Sequence, residues 1–299
     1  MTQSLIFLAL IASCNAIELD IHLPLHYGTD WMSKANFHNL CPYNMALESN
    51  LALIDHALPD KSNPESTRPA EQIDFFDKHV PHVTLYLADF AIENRSPNGN
   101  ILPGTTNHTL LQPLLSSIQT SLASTPNITQ CTVTLDLDVT PTPNDHPIVN
   151  GYYAKWNVLH TPCLQRLSDT IVDAAHSYAR TGDQATVPEW VYNLPEATKR
   201  KKIQYVKEYG SPNVRDEFRP HVTVGYDTVT PPLDRTRTLV SLVDADENKP
   251  WKCEGFIEKV GVGLVGEFGG TVLVDGTLVL IDLKRGDMGG GDGGLVERD

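Results

Sequence analysis

Two copies of one short pattern hold the residues of this chain whose types and spacing best suit acid–base chemistry. Residues 81–84 and residues 220–223 both read Pro-His-Val-Thr. In each copy a proline precedes β-branched residues, which predicts the start of a strand. Side chains alternate between the two faces of a strand, so the histidine and threonine of each copy share a face. If the copies face each other, their imidazoles and hydroxyls form one metal-free site for acid–base chemistry at a phosphate.

The elements predicted around the two copies also repeat. In the first half, the pattern predicts a strand at 17–25 and then a helix with the apolar stripe Leu47, Leu51, Ile54 and Leu58. The first motif strand, a helix over 111–122 and a strand at 132–139 follow. The second half predicts a strand at 152–159, a helix that begins at Thr161-Pro162, the second motif strand, a weaker helix over 235–243, and strands at 256–265 and 271–283. The order β-α-β-α-β therefore occurs twice. It predicts a duplicated α+β fold of two lobes, about 17–145 and 146–285, each a sheet backed by helices, with the motif strands lining a central groove.

The two ends of the chain differ from the rest in composition. Residues 1–16 contain a short apolar run and small residues before a cleavage point after Ala16, which predicts a secretory signal peptide. Residues 286–299 are rich in glycine and charge, which is typical of a disordered tail. Removal of the signal leaves an even number of cysteines, which predicts two disulfides in one of three pairings. These cysteines are Cys41, Cys131, Cys163 and Cys253.

Composition narrows the class of ligand. The chain has 299 residues, of which 40% are hydrophobic, and a formal net charge of −14. An acidic protein binds long nucleic acids poorly, which excludes duplex DNA as a partner but leaves small or terminal phosphates. After the signal, no stretch is apolar and long enough for a membrane helix. Sequons at Asn94, Asn107 and Asn127 favour a secretory route and an exposed surface at 94–129. We expect a secreted glycoprotein that is a monomer and does not bind membranes.

The paired motifs resemble those of the two-histidine (2H) phosphoesterase superfamily, which includes RNA 2′,3′-cyclic phosphodiesterases, once called 2′-5′ RNA ligases. The hallmark of that superfamily is a pair of H-x-[ST] motifs in two pseudo-twofold lobes, and residues 82–84 and 221–223 match both. Residues 260–272 look like its closing hairpin, so the resemblance spans about 17–283. Two departures weaken the case for an intracellular RNA-processing role. The motif histidines are widely spaced, with the excess in loops at 94–109 and 180–219, and secretion is unusual.

The resemblance implies a mechanism in which one neutral and one protonated histidine lie on opposite sides of the phosphorus, with no metal or cofactor. Hydrolysis of a cyclic phosphate needs one proton taken from water and another given to the departing ribose oxygen. Imidazole, with an ordinary pKa of about 6.5, suits both tasks. His82 and His221 are the implied catalytic pair, while Thr84 and Thr223 donate hydrogen bonds to the non-bridging oxygens. The choice of acid and base stays open.

Further residues near the motifs are candidates for substrate contacts. Arg219 stands two residues before the second motif histidine and is the predicted phosphate contact. Tyr86 and Tyr226 follow the motifs and can stack on a base. Strand parity puts only Tyr86 on the face of its motif histidine, so Tyr86 is the stronger candidate contact, although core packing is the more common use of either ring. The basic residues of 199–207 could steer a phosphorylated substrate, or form a solvated loop or helix face.

Three functions are compatible with the sequence. The first is a secreted phosphodiesterase that hydrolyses the 2′,3′-cyclic phosphate of a nucleotide or an RNA end. The second is a non-catalytic secreted protein that binds a nucleotide or phosphate ligand on the same fold. The third is a structural glycoprotein in which each His-x-Thr is a strand fragment with a hydrogen-bonded histidine. Retention of both histidines and both threonines favours catalysis, while the base preference, the product isomer and the biological process stay open.

Overall fold

The computed structural model describes residues 17–25, 41–57, 72–76, 78–90, 111–136, 149–150, 152–244, 253–266 and 272–283. The signal peptide predicted at 1–16, the sequons at Asn94 and Asn107, and the tail predicted at 286–299 lie outside these residues. Among the described helices, none has the length and apolar character needed to cross a membrane.

Helices and strands alternate through the described residues as a mixed α and β fold. The helices are α1 (Cys41–His56), α2 (Leu111–Ser124), α3 (Pro162–Ala175), α4 (Glu189–Tyr192), α5 (Glu196–Tyr209) and α6 (Pro232–Asp244). The strands are β1 (Ile17–Pro24), β2 (His79–Val80), β3 (His82–Phe90), β4 (Thr132–Asp136), β5 (Val149–Asn150), β6 (Tyr153–Val158), β7 (His221–Tyr226), β8 (Cys253–Phe256), β9 (Lys259–Val265) and β10 (Val272–Asp282). The motif copies begin β3 and β7, as predicted.

The strands form two antiparallel sheets, and each motif strand lies at an edge. The first sheet has the order β2-β10-β9-β1-β3. The second contains β5-β6-β4-β8, with β7 also paired to β6. Helix α1 packs on strands of the second sheet, and α3 packs on β3 of the first. The helices therefore cover the sheets behind the motif strands.

Each sheet takes strands from both halves of the chain. In the second sheet, β4 pairs with β6 and β8. In the first, the C-terminal β9 pairs with the N-terminal β1. The sheets therefore do not follow a division near residue 146, because each half completes the sheet of the other.

Helices α2 and α3 form as predicted, but the apolar face predicted for α1 is only partly correct. Helix α2 buries its whole predicted stripe, which is Leu111, Leu114, Leu115, Ile118 and Leu122. Helix α3 begins as expected, because the Thr161 hydroxyl accepts a hydrogen bond from the backbone NH of Leu164. In α1 the predicted face is only partly correct: Leu47 and Ile54 are partly buried, but Leu51 is 40% exposed, and Leu58 lies outside the described residues. Ser49 and Asn50 are fully buried instead.

Hydrogen bonds explain why α1 buries polar residues. The Asn50 amide donates to the carbonyls of Ile73 and Val224, and the Trp156 indole donates to the Ser49 hydroxyl. Burial of a polar side chain is costly only when its hydrogen bonds are lost. Ser49 and Asn50 keep theirs, so α1 can bury them, which an apolar pattern in the sequence does not predict.

Two further predictions need correction. The segment 180–219, predicted as a long loop, contains α4 and α5, and α5 ends at Gly210 in the left-handed conformation (φ 77°). The single strand predicted at 256–265 is instead the end of β8 followed by β9.

Two disulfides are present, as expected, and each ties the first turn of a helix to the second sheet. Cys41 at the start of α1 bonds Cys253 at the start of β8, with Cα atoms 5.3 Å apart. Cys163 in the first turn of α3 bonds Cys131, the residue before β4, with Cα atoms 5.5 Å apart.

Candidate active site

The two motif strands come together although they belong to different sheets. Cα atoms of β3 and β7 approach within 8 Å of one another. Burial and Lys155 are the main causes that lower the pKa of His221; His82 lowers it by less, and Asp20 of β1 raises it slightly. The approach of the two strands brings the motifs to one region of the molecule.

The first motif is built around a buried carboxyl group. Asp20 is fully buried and accepts a hydrogen bond of 2.7 Å from the Thr84 hydroxyl. The Nε2 atom of His82 lies 3.3 Å from the same Asp20 oxygen, Oδ2. His82 and Thr84 therefore share a face, as the strand pattern predicts, and both point at Asp20.

A second histidine lies beside the first motif. His22 is fully buried, and its ring centroid is 5.0 Å from that of His82. Burial and the charge of His82 lower the pKa of His22 to about 4. Gly261 is paired with it on β9, where a Cβ atom would stand 2.4 Å from His22 Nε2. The ring occupies space that only glycine leaves open.

Both motif histidines are oriented by the backbone. His82 Nδ1 lies 2.7 Å from the Val80 carbonyl oxygen, and His221 Nδ1 lies 2.9 Å from that of Arg219. A carbonyl oxygen only accepts, so Nδ1 carries the hydrogen in each ring. Proton transfer therefore falls to Nε2 of each imidazole, which in His82 faces Asp20 Oδ2.

The second motif has a cation where the first has an acid and a histidine. Lys155 on β6 pairs with Thr223, and Asn157 pairs with His221. Burial is the largest cause that lowers the pKa of His221, to about 4, and Lys155 is the next. His221 and Thr223 are partly exposed, whereas Val222 between them is fully buried. The second motif is therefore the open end of the site.

A β-bulge follows each motif and reverses the predicted faces of the tyrosines. On β3, Thr84 pairs with His22 and Tyr86 pairs with Ile21, so Thr84 and Tyr86 point to opposite faces. Tyr86 is 1% exposed, its hydroxyl donates to the Tyr209 carbonyl, and burial raises its pKa. The prediction that Tyr86 contacts substrate is wrong, and its side chain belongs to the core.

The bulge on β7 has the reverse consequence. Lys155 pairs with Thr223, Ala154 with Gly225, and Tyr153 with Tyr226. Because Tyr153 and Lys155 share a face of β6, Tyr226 lies on the face of Thr223. The parity argument against Tyr226 is therefore wrong.

The carbonyl group at each bulge is bonded by a helix from the other half of the chain. Ser168 of α3 donates to the Leu85 carbonyl at 2.9 Å, and Asn50 of α1 donates to the Val224 carbonyl at 2.9 Å. Leu85 and Val224 hold the same position, three residues after the motif histidine. The two motifs thus share one backbone arrangement with reciprocal support.

Backbone carbonyl groups hold the guanidinium of Arg219, the predicted phosphate contact. Its guanidinium donates to the carbonyls of Asp216 and Phe218, at 2.8 and 2.9 Å. Its carbonyl group, rather than its charge, reaches His221. Arg219 therefore orients the imidazole through the backbone.

The basic residues of 199–207 lie on α5, where acids pair with several of them. Lys201 contacts Asp216 and Glu217, and Lys202 contacts Glu217. Lys199 and Arg200 contact Glu196 within the helix. These pairs reduce the positive field available to steer a phosphorylated substrate and favour the solvated helix face.

Sequence reasoning missed three residues at the site. They are Asp20, His22 and Lys155. Each lies on a strand next to a motif strand and meets the motif through cross-strand register. The alternating pattern of 17–25 puts Asp20 and His22 on one face, which was the available signal. No signal in the sequence singles out Lys155.

Comparison with known proteins does not identify the chain. No family model matches it, and no curated protein matches it. Within the described residues, no group of three or more histidine, cysteine, aspartate or glutamate side chains could hold a metal ion.

Proposed function

We propose that this protein is a phosphodiesterase that hydrolyses the 2′,3′-cyclic phosphate of a nucleotide or an RNA end. The observation that carries the proposal is the approach of β3 and β7, the strands that begin with His82 and His221. Each histidine shares its strand face with the threonine two residues later, and a carbonyl group holds Nδ1 of each ring. Proton transfer then falls to Nε2, which in His82 faces Asp20. The resemblance to two-histidine phosphoesterases agrees with this chemistry.

The matching surroundings of the motifs support a duplicated two-lobe arrangement. Both motif strands are sheet edges, and both carry a bulge at the same position. Both bulges are bonded by a polar side chain from a helix in the other half of the chain. Two strand fragments that matched by chance would have no reason to share these features.

The unequal charges around the two motifs assign the acid and the base. His82 has an acceptor at each ring nitrogen, the Val80 carbonyl at Nδ1 and Asp20 at Nε2. Only the imidazolium carries a hydrogen on both nitrogens, so Asp20 stabilises His82 as the acid. His221 lies beside Lys155, which favours the neutral ring, and it acts as the base.

In the proposed reaction, His221 Nε2 takes a proton from water as the water oxygen bonds to phosphorus. The bond from phosphorus to one ribose oxygen breaks, and His82 supplies a proton to that oxygen. Thr223 donates to a non-bridging oxygen. Thr84 can do so only if its hydroxyl turns from Asp20, which it contacts in the structure.

A direct assay tests this function. Purified protein is incubated, with chelator and without added metal, with the four 2′,3′-cyclic mononucleotides and an oligonucleotide that ends in a cyclic phosphate. We expect a ring-opened monophosphate, and unchanged rates when chelator is omitted. His82→Ala and His221→Ala should abolish most turnover, and His56→Ala, an exposed residue at the end of α1, should not. Binding without hydrolysis by the wild type would instead favour the non-catalytic alternative.

We also propose that the protein acts outside the cell. The two disulfides fit an oxidising compartment. The third sequon begins at Asn127, which is exposed on a turn after α2. Expression of the full chain in a secretory host should give a protein in the medium that lacks residues 1–16 and free thiols. Retention inside the cell with four free thiols would contradict the proposal.

A further inference from the structure

One face of the β6–β7 pair carries partly exposed polar and aromatic residues in three cross-strand pairs. From one end to the other, the pairs are His221 with Asn157, Thr223 with Lys155, and Tyr226 with Tyr153. The residues between them, Ala154, Trp156, Val222 and Val224, are fully buried. The bulge at residues 224–225 puts Tyr226 on this face. We call these six residues the β6–β7 face.

Lys155 is the cation of this face, and no described residue supplies its counterion. Its ammonium group has neither a hydrogen bond nor an ion pair within the described residues, unlike Lys201 and Lys202 on α5. Partial burial lowers its pKa. A partly desolvated ammonium without an anion is costly, and a bound anion would remove that cost. Thr223 and His221 flank it with a hydroxyl and an imidazole.

Tyrosine rings form the far end of the face. The rings of Tyr153 and Tyr226 are 4.9 Å apart, and those of Tyr152 and Tyr226 are 6.0 Å apart, each pair at 61°. Tyr152 is 55% exposed. Nucleobases stack on aromatic rings of this kind.

The distance along the strands between the phosphate-binding residues and the tyrosine rings matches the size of a nucleotide. Successive pairs on one face of a strand are about 7 Å apart. The tyrosine pair is therefore one step from Lys155 and two from His221, lengthened by the bulge residue. A phosphate and a base carried by the same ribose can reach neighbouring steps of this ladder.

We propose that the β6–β7 face is a nucleotide-binding surface, with the phosphate held by Lys155 and Thr223 beside His221 and the base placed against Tyr153 and Tyr226. This proposal rests on the proposed function only in taking the phosphate beside His221 to be the one that reacts. Binding of a nucleotide does not require that it be hydrolysed. Lys155 takes the role that the sequence assigned to Arg219, and Tyr226 the role assigned to Tyr86.

Titration calorimetry with two probes separates the parts of the site. The probes are inorganic phosphate and a nucleoside 2′-monophosphate, neither of which contains a cyclic ester. We expect Lys155→Met to weaken both at least about 10-fold, and Lys155→Arg to weaken them less, because the charge is retained. We expect Tyr226→Leu to weaken the nucleotide about 5- to 10-fold and to leave phosphate unchanged, while Tyr226→Phe keeps both. Lys207→Met and Tyr192→Leu, both exposed, are matched controls.

A second readout covers the case in which a variant folds poorly. In wild-type protein, saturating phosphate should raise the pKa of His221 in an NMR titration, because an anion beside the ring favours its protonated form. No such change, or equal phosphate affinity in Lys155→Met, overturns the anion site. Equal loss of both probes in Tyr226→Leu overturns the base site. If the nucleotide binds as expected but cyclic substrates are not turned over, only the proposed function is contradicted. If cyclic substrates are turned over and KM is unchanged in Lys155→Met and Tyr226→Leu, only this inference is contradicted.

Discussion

The two motif regions share a backbone and differ in their charges. Each has an edge strand, a bulge bonded from a helix, and a histidine whose Nδ1 is held by the carbonyl two residues before it. Around His82, the adjacent strand supplies Asp20 and His22, both fully buried. Around His221, it supplies Lys155 and Asn157, both partly exposed. A repeated backbone thus sets the geometry of both imidazoles, and the adjacent strand sets their protonation.

The largest effect expected from breaking this pair is on turnover. His82→Ala and His221→Ala should each lower kcat by about 100- to 10,000-fold, the usual contribution of a positioned acid or base. The double variant should lose much less than the product of these factors, because the two act as a unit. Thr84→Ala and Thr223→Ala should have milder effects. Steady-state rates on a cyclic mononucleotide measure all five, and near-normal activity in a folded single histidine variant would contradict the paired mechanism.

The disulfides provide a comparison of the helices behind the two motifs. Cys41–Cys253 anchors α1, which supports the second motif, and Cys131–Cys163 anchors α3, which supports the first. Their sequence separations are 212 and 32 residues, so loop entropy predicts losses of about 5 and about 4 kcal/mol on removal. Double Cys→Ala variants of each pair, unfolded in denaturant, test the order. A larger loss for Cys131–Cys163 would show that local packing outweighs loop entropy.

The sequence predicts the elements well and the contacts between them poorly. The stripe of α2 depends only on local periodicity, which is present in the sequence. The faces of Tyr86 and Tyr226 depend on bulges, which no local pattern shows. The roles of Asp20 and Lys155 depend on register between strands that the chain brings together from far apart. Helices and strands follow from neighbouring residues in the sequence, whereas the charged residues meet the motif histidines only when the sheets have assembled.

A smaller effect tests the packing at the first motif. Gly261→Ala should lower the free energy of unfolding by about 1–3 kcal/mol, because the new Cβ atom would overlap the His22 ring. In a His22→Ala background the same change should cost little, since the ring is absent. A double-mutant cycle in denaturant measures this coupling. Equal costs in both backgrounds would mean that His22 does not fill the space opposite Gly261.

The smallest effect, a change of pH profile, sharpens the comparison most. Because the pKa of His221 is lowered to about 4, the base stays neutral down to that pH, and kcat/KM should fall only as pH drops through about 4. Lys155→Met removes a cation that disfavours protonation, so this acid limb should move to higher pH by about one unit. Lys207→Met is the matched control, because Lys207 lies on an exposed part of α5.

Asp20→Asn should act on the other limb. Loss of the carboxyl group beside His82 weakens the imidazolium, so the basic limb should move to lower pH while Asp20→Glu keeps part of the wild-type profile. The limbs describe the coupled pair, so NMR titration of each imidazole is needed to assign them. If Lys155→Met moves the basic limb upward instead of the acid limb, His221 is the acid and His82 the base. The charges around the motifs would then stabilise the resting enzyme in the form opposite to the one that reacts.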